Sequence, residues 1–173
     1  GAKPNFKADN NQDSALVGRV GVSPMVGLEI GGSFYTGKYS DDDAQGLSLI
    51  GLDGMFKEGP FEAVFEYAQA SIDGMNNMSG YYVEGRYHFF PDFLKDAFFA
   101  EGFDHPTFTL FGRYGAVDLD ADVTGSDDMS RLTLGMNYRP IETVVFKFEG
   151  ELNRTDSSNQ TTSGLVGSVA VGF

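Results

Sequence analysis

Cysteine is absent from the 173 residues. That removes disulfides, thiolate metal sites, cysteine nucleophiles and covalently attached c-type haem. Histidine is nearly absent: His88 and His105 are the only two, little material for a metal or acid–base centre. Basic residues are scarce as well, with 12 Lys plus Arg against 25 Asp plus Glu and a formal net charge of −13. Nucleic-acid binding through a basic surface is excluded by that balance. No run approaches the ~18 uninterrupted apolar residues of a transmembrane helix. No basic and apolar signal segment opens the chain, which reads as a mature form or a fragment. What is there is 23 Gly, 16 Phe, 8 Tyr and an apolar share of 41%. This is a β-rich composition in a length that suits one domain.

The dominant period is two. From Val144 the even positions read Val144, Phe146, Phe148, Gly150, Leu152, while the odd ones carry Lys147, Glu149 and Glu151. Such alternation gives one strand an apolar face and a charged face. Arg131–Arg139 and Tyr81–Phe89 repeat it, and Ala15–Val22, Val26–Thr36, Leu47–Phe56, Phe61–Ala70, Thr107–Val117 and Leu165–Phe173 follow. Nine strands are expected, each near the ~9–11 residues that cross a bilayer when tilted. Short connectors (Ser23–Met25, Lys57–Pro60, Arg139–Glu142) alternate with long polar ones (Gly37–Gly46, Ser71–Gly80, Asp118–Ser130, Asn153–Ser163). Phe90–Pro106 is the exception. The pattern predicts an all-β, antiparallel up-and-down sheet over residues 14–173, with residues 1–13 as an extracellular loop or terminal segment.

Either solvent could face the apolar side. A soluble barrel turns it inward, and a membrane barrel turns it outward to lipid. Three features favour the membrane. Aromatics sit at strand ends on the apolar face (Phe34, Phe56, Phe61, Tyr81, Phe89, Phe108, Tyr138), where interfacial girdles belong. Glycines interrupt that face (Gly18, Gly32, Gly54, Gly85, Gly112, Gly150, Gly167), a poor filling for a soluble core. Short and long connectors segregate to opposite ends.

The last strand ends on Phe173, in phase with the apolar face. It resembles the C-terminal assembly signal of bacterial outer-membrane proteins. LTLGMNYRPIETVVFKFE (Leu132–Glu149) and FTLFGRYGAVDLD (Phe108–Asp120) resemble the C-terminal hairpins of porins of the phosphate-selective (O/P-like) type. The resemblance implies a Gram-negative outer-membrane location, a water-filled channel, contact with lipid and lipopolysaccharide, and delivery by the barrel assembly machinery. A homotrimer would be ordinary for such a porin. With Phe173 at the periplasmic end, as the resemblance implies, the short turns are periplasmic and the long loops extracellular. Nine strands starting outside then violate the even-numbered habit of single-chain bacterial barrels. The expectation is therefore the C-terminal portion of a larger barrel.

By parity the charged face holds Arg19, Lys57, Arg86, Arg113, Arg131, Arg139 and Lys147 against Glu29, Asp53, Glu62, Glu66, Glu84, Glu149 and Glu151. These fourteen are the expected pore-lining residues, balanced in sign; the alternative is that they are cross-strand ion pairs filling a closed interior. The net negative charge then lies in the connectors, where an acidic rim enriches cations and argues against phosphate selectivity. Asp118, Asp120 and Asp122 alternate as carboxylates that could ligate Ca²⁺ or Mg²⁺, without the Gly and distal Glu of a full calcium loop. Solvated loop carboxylates are the plainer reading. Pro91 in the exceptional connector could start a short helix with Phe90, Phe93, Leu94, Ala97 and Phe98 on one side, lying against the leaflet or barrel base or meeting a periplasmic partner. His88 faces the lumen with no positioned Ser, so no catalytic constellation is visible and the chain is not expected to be an enzyme. A passive diffusion porin with mild cation preference leads. A non-conducting barrel serving as anchor, adhesin or partner scaffold is the alternative.

Overall fold

A computed structural model describes residues 15–38, 45–120 and 128–172. Nine antiparallel strands follow one another in chain order as one up-and-down sheet. They are β1 (Leu16–Met25), β2 (Leu28–Lys38), β3 (Gly46–Glu58), β4 (Phe61–Ile72), β5 (Met78–Phe89), β6 (Thr107–Asp118), β7 (Met129–Ile141), β8 (Val144–Thr155) and β9 (Gln160–Val171). One 3-10 turn, Asp92–Leu94, interrupts the β5–β6 connector. Among the described residues β1 and β9 pair only inward, so the sheet is not closed.

The turn end is built by two-residue connections at Val26–Gly27, Gly59–Pro60 and Glu142–Thr143. Gly27 sits at φ +83°, a left-handed conformation that an L side chain resists. Its carbonyl accepts the Lys57 N–H at 2.7 Å, and a Cβ there would collide with the Lys57 carbonyl. The β1–β2 turn is thus tied to the end of β3, which holds successive hairpins in register.

Where the apolar residues go decides the class. Among the described residues Ala100, at 3% exposure, is the only buried hydrophobic, and it lies in a connector. Leu134, Phe148 and Leu165 point off the sheet with 61%, 62% and 92% of their surface exposed. A soluble barrel of this size would bury that face. The apolar surface is instead exposed along the whole sheet, as hydrocarbon contact requires. Phe61, Tyr87, Phe89, Phe108, Tyr138 and Phe146 form an unbroken path of rings across the turn end, with centroids 4.8–6.3 Å apart. The expected girdle is therefore present at that rim. Glycines of the apolar face also acquire a reason: the Phe34 ring lies over Gly18 and the Phe65 ring over Gly54, space that a Cβ would occupy.

Several boundaries differ from expectation. Ser23–Met25, expected as a turn, lies within β1, and the turn falls at Val26–Gly27. The connector expected over Ser71–Gly80 shrinks to the residues between Ile72 and Met78. The connector expected over Asn153–Ser163 shrinks to the four residues between Thr155 and Gln160. Thr161 and Thr162 continue β9 opposite Arg154 and Asn153. Asn159 adopts φ 48° and donates its N–H to the Asp156 carbonyl at 3.1 Å, closing a tight turn. Long and short connectors therefore do not strictly alternate.

Candidate functional site

Strand register places all fourteen expected charged residues on one face. Lys57 stands opposite Glu62, and Glu62 opposite Arg86; Glu84 stands opposite Arg113. Asp53 faces Glu66, Arg131 faces Asn153, Lys147 faces Asn137 and Arg139 faces Thr107. Glu149 and Glu151 lie opposite Gly135 and Thr133, Glu29 opposite Met55, and Arg19 opposite Ser33.

Three groups form within this wall. The first spans β4–β6 and centres on Glu84, which is 2% exposed. Its carboxylate accepts from Arg86 Nε and, at 2.6 Å, from Arg113 Nε. Arg86 also donates to Glu62, so two acids and two guanidiniums alternate across three strands. Arg113 lies 5.0 Å from the centroid of the Tyr82 ring, a cation–π distance. The second group joins β1 to β3. Asp53 and Glu66 are like charges face to face, and Arg19 relieves them by reaching over Gly31 to Asp53 at 2.5 Å. A Cβ at Gly31 would stand 2.5 Å from Arg19 Nη2, so the glycine opens the path of this bond. The third is Arg131 with Asn153 at 2.5 Å and Glu151 at 3.4 Å.

Parity alone did not single out Tyr82, Thr109, Thr133, Asn137 or Phe111, which share this face. Phe111 lays its ring over Gly135. His88 takes a place the sequence reading did not foresee: its Nδ1 lies 2.9 Å from Thr109 Oγ1 and its Nε2 3.4 Å from Glu62 Oε2. A hydroxyl, an imidazole and a carboxylate are thereby in line, bordering a polar recess of about 360 Å³ with Asn137, Arg139 and Lys147. Such an arrangement fixes the imidazole's orientation. Only the pairing of β4, β5 and β6 reveals it, because the three residues are far apart in sequence.

The other expected sites are less assembled. Asp120 donates its backbone N–H to Asp118 Oδ1 at 3.0 Å, a local turn, while Asp122 and Phe173 lie outside the described residues. Outside the strands, Lys95 sits 2.6 Å from Asp92 and holds that carboxyl below its usual range.

No family model and no curated protein matches the chain. Among solved structures, LpxR from Salmonella typhimurium aligns over 93% of this chain and 73% of its own, with 8% identity and a TM-score of 0.45. Nothing specific to phosphate-selective porins is found. What holds is the coarser architecture: an all-β, antiparallel, up-and-down sheet of nine strands with an exposed apolar face. One expectation is corrected. The expectation that this chain is not an enzyme rested on His88 lacking a partner, and it is withdrawn. The parity argument failed there because it treated His88 as isolated, whereas folding supplies it with Thr109 and Glu62. At this level of identity no activity passes from LpxR to this chain.

Proposed function

We propose that this sheet is part of an outer-membrane β-barrel whose charged face borders a water-filled channel for passive diffusion of ions and small hydrophilic solutes. The observation that carries the reading is the inverted distribution of side chains. Fourteen charged residues gather on one face, and large apolar side chains stand exposed on the other. A wall of alternating charges stays hydrated and gives a transverse field that orients polar solutes. Asp73, Asp118, Asp120, Asp128 and Asp156 lie at the loop end. Negative charge there raises the local cation concentration over about a Debye length, ~10 Å at 0.1 M salt, and supports mild cation preference.

Planar-bilayer recording of the intact protein tests both parts. Discrete conductance steps are expected, with a reversal potential under a salt gradient that indicates modest cation selectivity. Absence of steps from protein verified as folded in lipid would reject the channel in favour of a non-conducting anchor, adhesin or scaffold. Anion selectivity would overturn the role given to the acidic rim.

A further inference from the structure

The β5–β6 connector folds back onto the apolar face of the sheet. Phe90 stacks on Phe108 with centroids 5.5 Å apart, and Phe99 meets Tyr138 edge-on at 5.8 Å. The Tyr138 hydroxyl donates to the Phe99 carbonyl. Backbone bonds from Ala100 N–H and Glu101 N–H to the Ala97 carbonyl, both 2.8 Å, tighten the segment, and the Ala100 side chain is buried. Phe108 and Tyr138 belong to the aromatic path at the turn end, so the connector extends that girdle on its lipid side.

Two rings take no part in this docking against the sheet. Phe93 is 83% exposed and Phe98 is 91% exposed. Large apolar rings held in water are costly, and Phe98 meets Phe99, the ring that docks on Tyr138 of the aromatic path, edge-on at 5.4 Å. Asp92 and Lys95 of the same segment pair with each other in solvent, giving it a polar side as well.

We propose that this connector is an interfacial anchor that seats Phe93 and Phe98 in the boundary between headgroups and acyl chains of the turn-side leaflet. The occupant is a lipid surface because the rings continue an aromatic girdle, and girdle residues sit at that depth. Amphipathic interfacial segments bury their apolar face about 5–10 Å into that boundary. The inference rests on the reading of the apolar sheet face as lipid-facing, and goes beyond it by giving a connector a membrane role.

The chain contains no tryptophan, so a single introduced indole reports without background. Phe98→Trp and Phe93→Trp are made separately in the full chain and folded into phosphatidylcholine vesicles with lipids brominated either near the headgroup or deep in the acyl chain. Leu134→Trp, in the exposed apolar face, serves as the reference. Both connector tryptophans are expected to emit to the blue of a water-exposed indole and to be quenched more by the shallow label than by the deep one. The reference is expected to be quenched by the labelled acyl chains. A reference unquenched by either label would sink the lipid-facing reading itself. With the reference quenched, connector tryptophans that emit as in water and escape both labels would overturn the anchor. Blue-shifted emission only after a soluble periplasmic protein fraction is added would overturn it too, in favour of a protein partner.

Discussion

Glu84 serves two guanidiniums from a buried position, whereas Asp53 serves one guanidinium at a site open to solvent. The same residue classes on the same wall therefore carry different weights. Removing a buried partner leaves uncompensated charge, which costs ~3–5 kcal/mol where all groups are enclosed. Arg86 and Arg113 are both partly solvated, so Glu84→Gln is expected to cost about 2 kcal/mol. Asp53→Asn should cost under ~1 kcal/mol, the range of exposed pairs. Urea titration of vesicle-folded protein measures both, and equal losses would contradict the ranking. This hierarchy was not legible in the sequence. Period-two alternation placed Glu84 and Asp53 on one face correctly, but Arg113 lies 29 positions from Glu84 and Arg19 lies 34 from Asp53, and both contacts depend on register. The same blindness hid the contact of His88 with Thr109, 21 positions on.

Two of the three two-residue turns use a left-handed glycine, while Glu142–Thr143 uses none, and those two glycines differ in surroundings. Gly59, at φ +55°, has nothing within 4 Å of an added Cβ, while at Gly27 the same atom meets the Lys57 backbone. Gly59→Ala should therefore cost only the left-handed strain, ~1–2 kcal/mol. Gly27→Ala adds a clash with backbone that cannot move without displacing the end of β3, and is expected to lose visibly more in the same titration. Equal losses would mean that the turns relax independently. Strands and turns were the most legible elements, since apolar alternation and Gly or Pro punctuation are local signals. The β8–β9 turn escaped because Gln160–Ser163 carries small polar residues on both faces, so alternation has nothing to contrast there. Asn159, tolerant of positive φ, was the one local hint.

At the scale of the whole sheet, direction matters more than composition. Nine strands that alternate leave β1 and β9 running the same way. Each presents an unpaired edge of ten or more residues, and in hydrocarbon every unsatisfied backbone group costs several kcal/mol. Joining β9 to β1 would make a parallel pair. Identical copies joined edge to edge in one membrane orientation would do the same. An all-antiparallel ring needs an odd number of further strands, which also restores an even total. The native lack of cysteine makes this testable. Cysteines introduced together at Val20 and Gly32, which are register partners on β1 and β2, should be joined by a short bifunctional reagent in vesicles. Cysteines at Val20 or Val22 combined with Leu165 or Val169 of β9 should not be joined, because the intervening strands hold the two edges apart. Efficient β1–β9 cross-linking, within one chain or between two, would show that the edges meet directly and that the ring closes through a parallel seam.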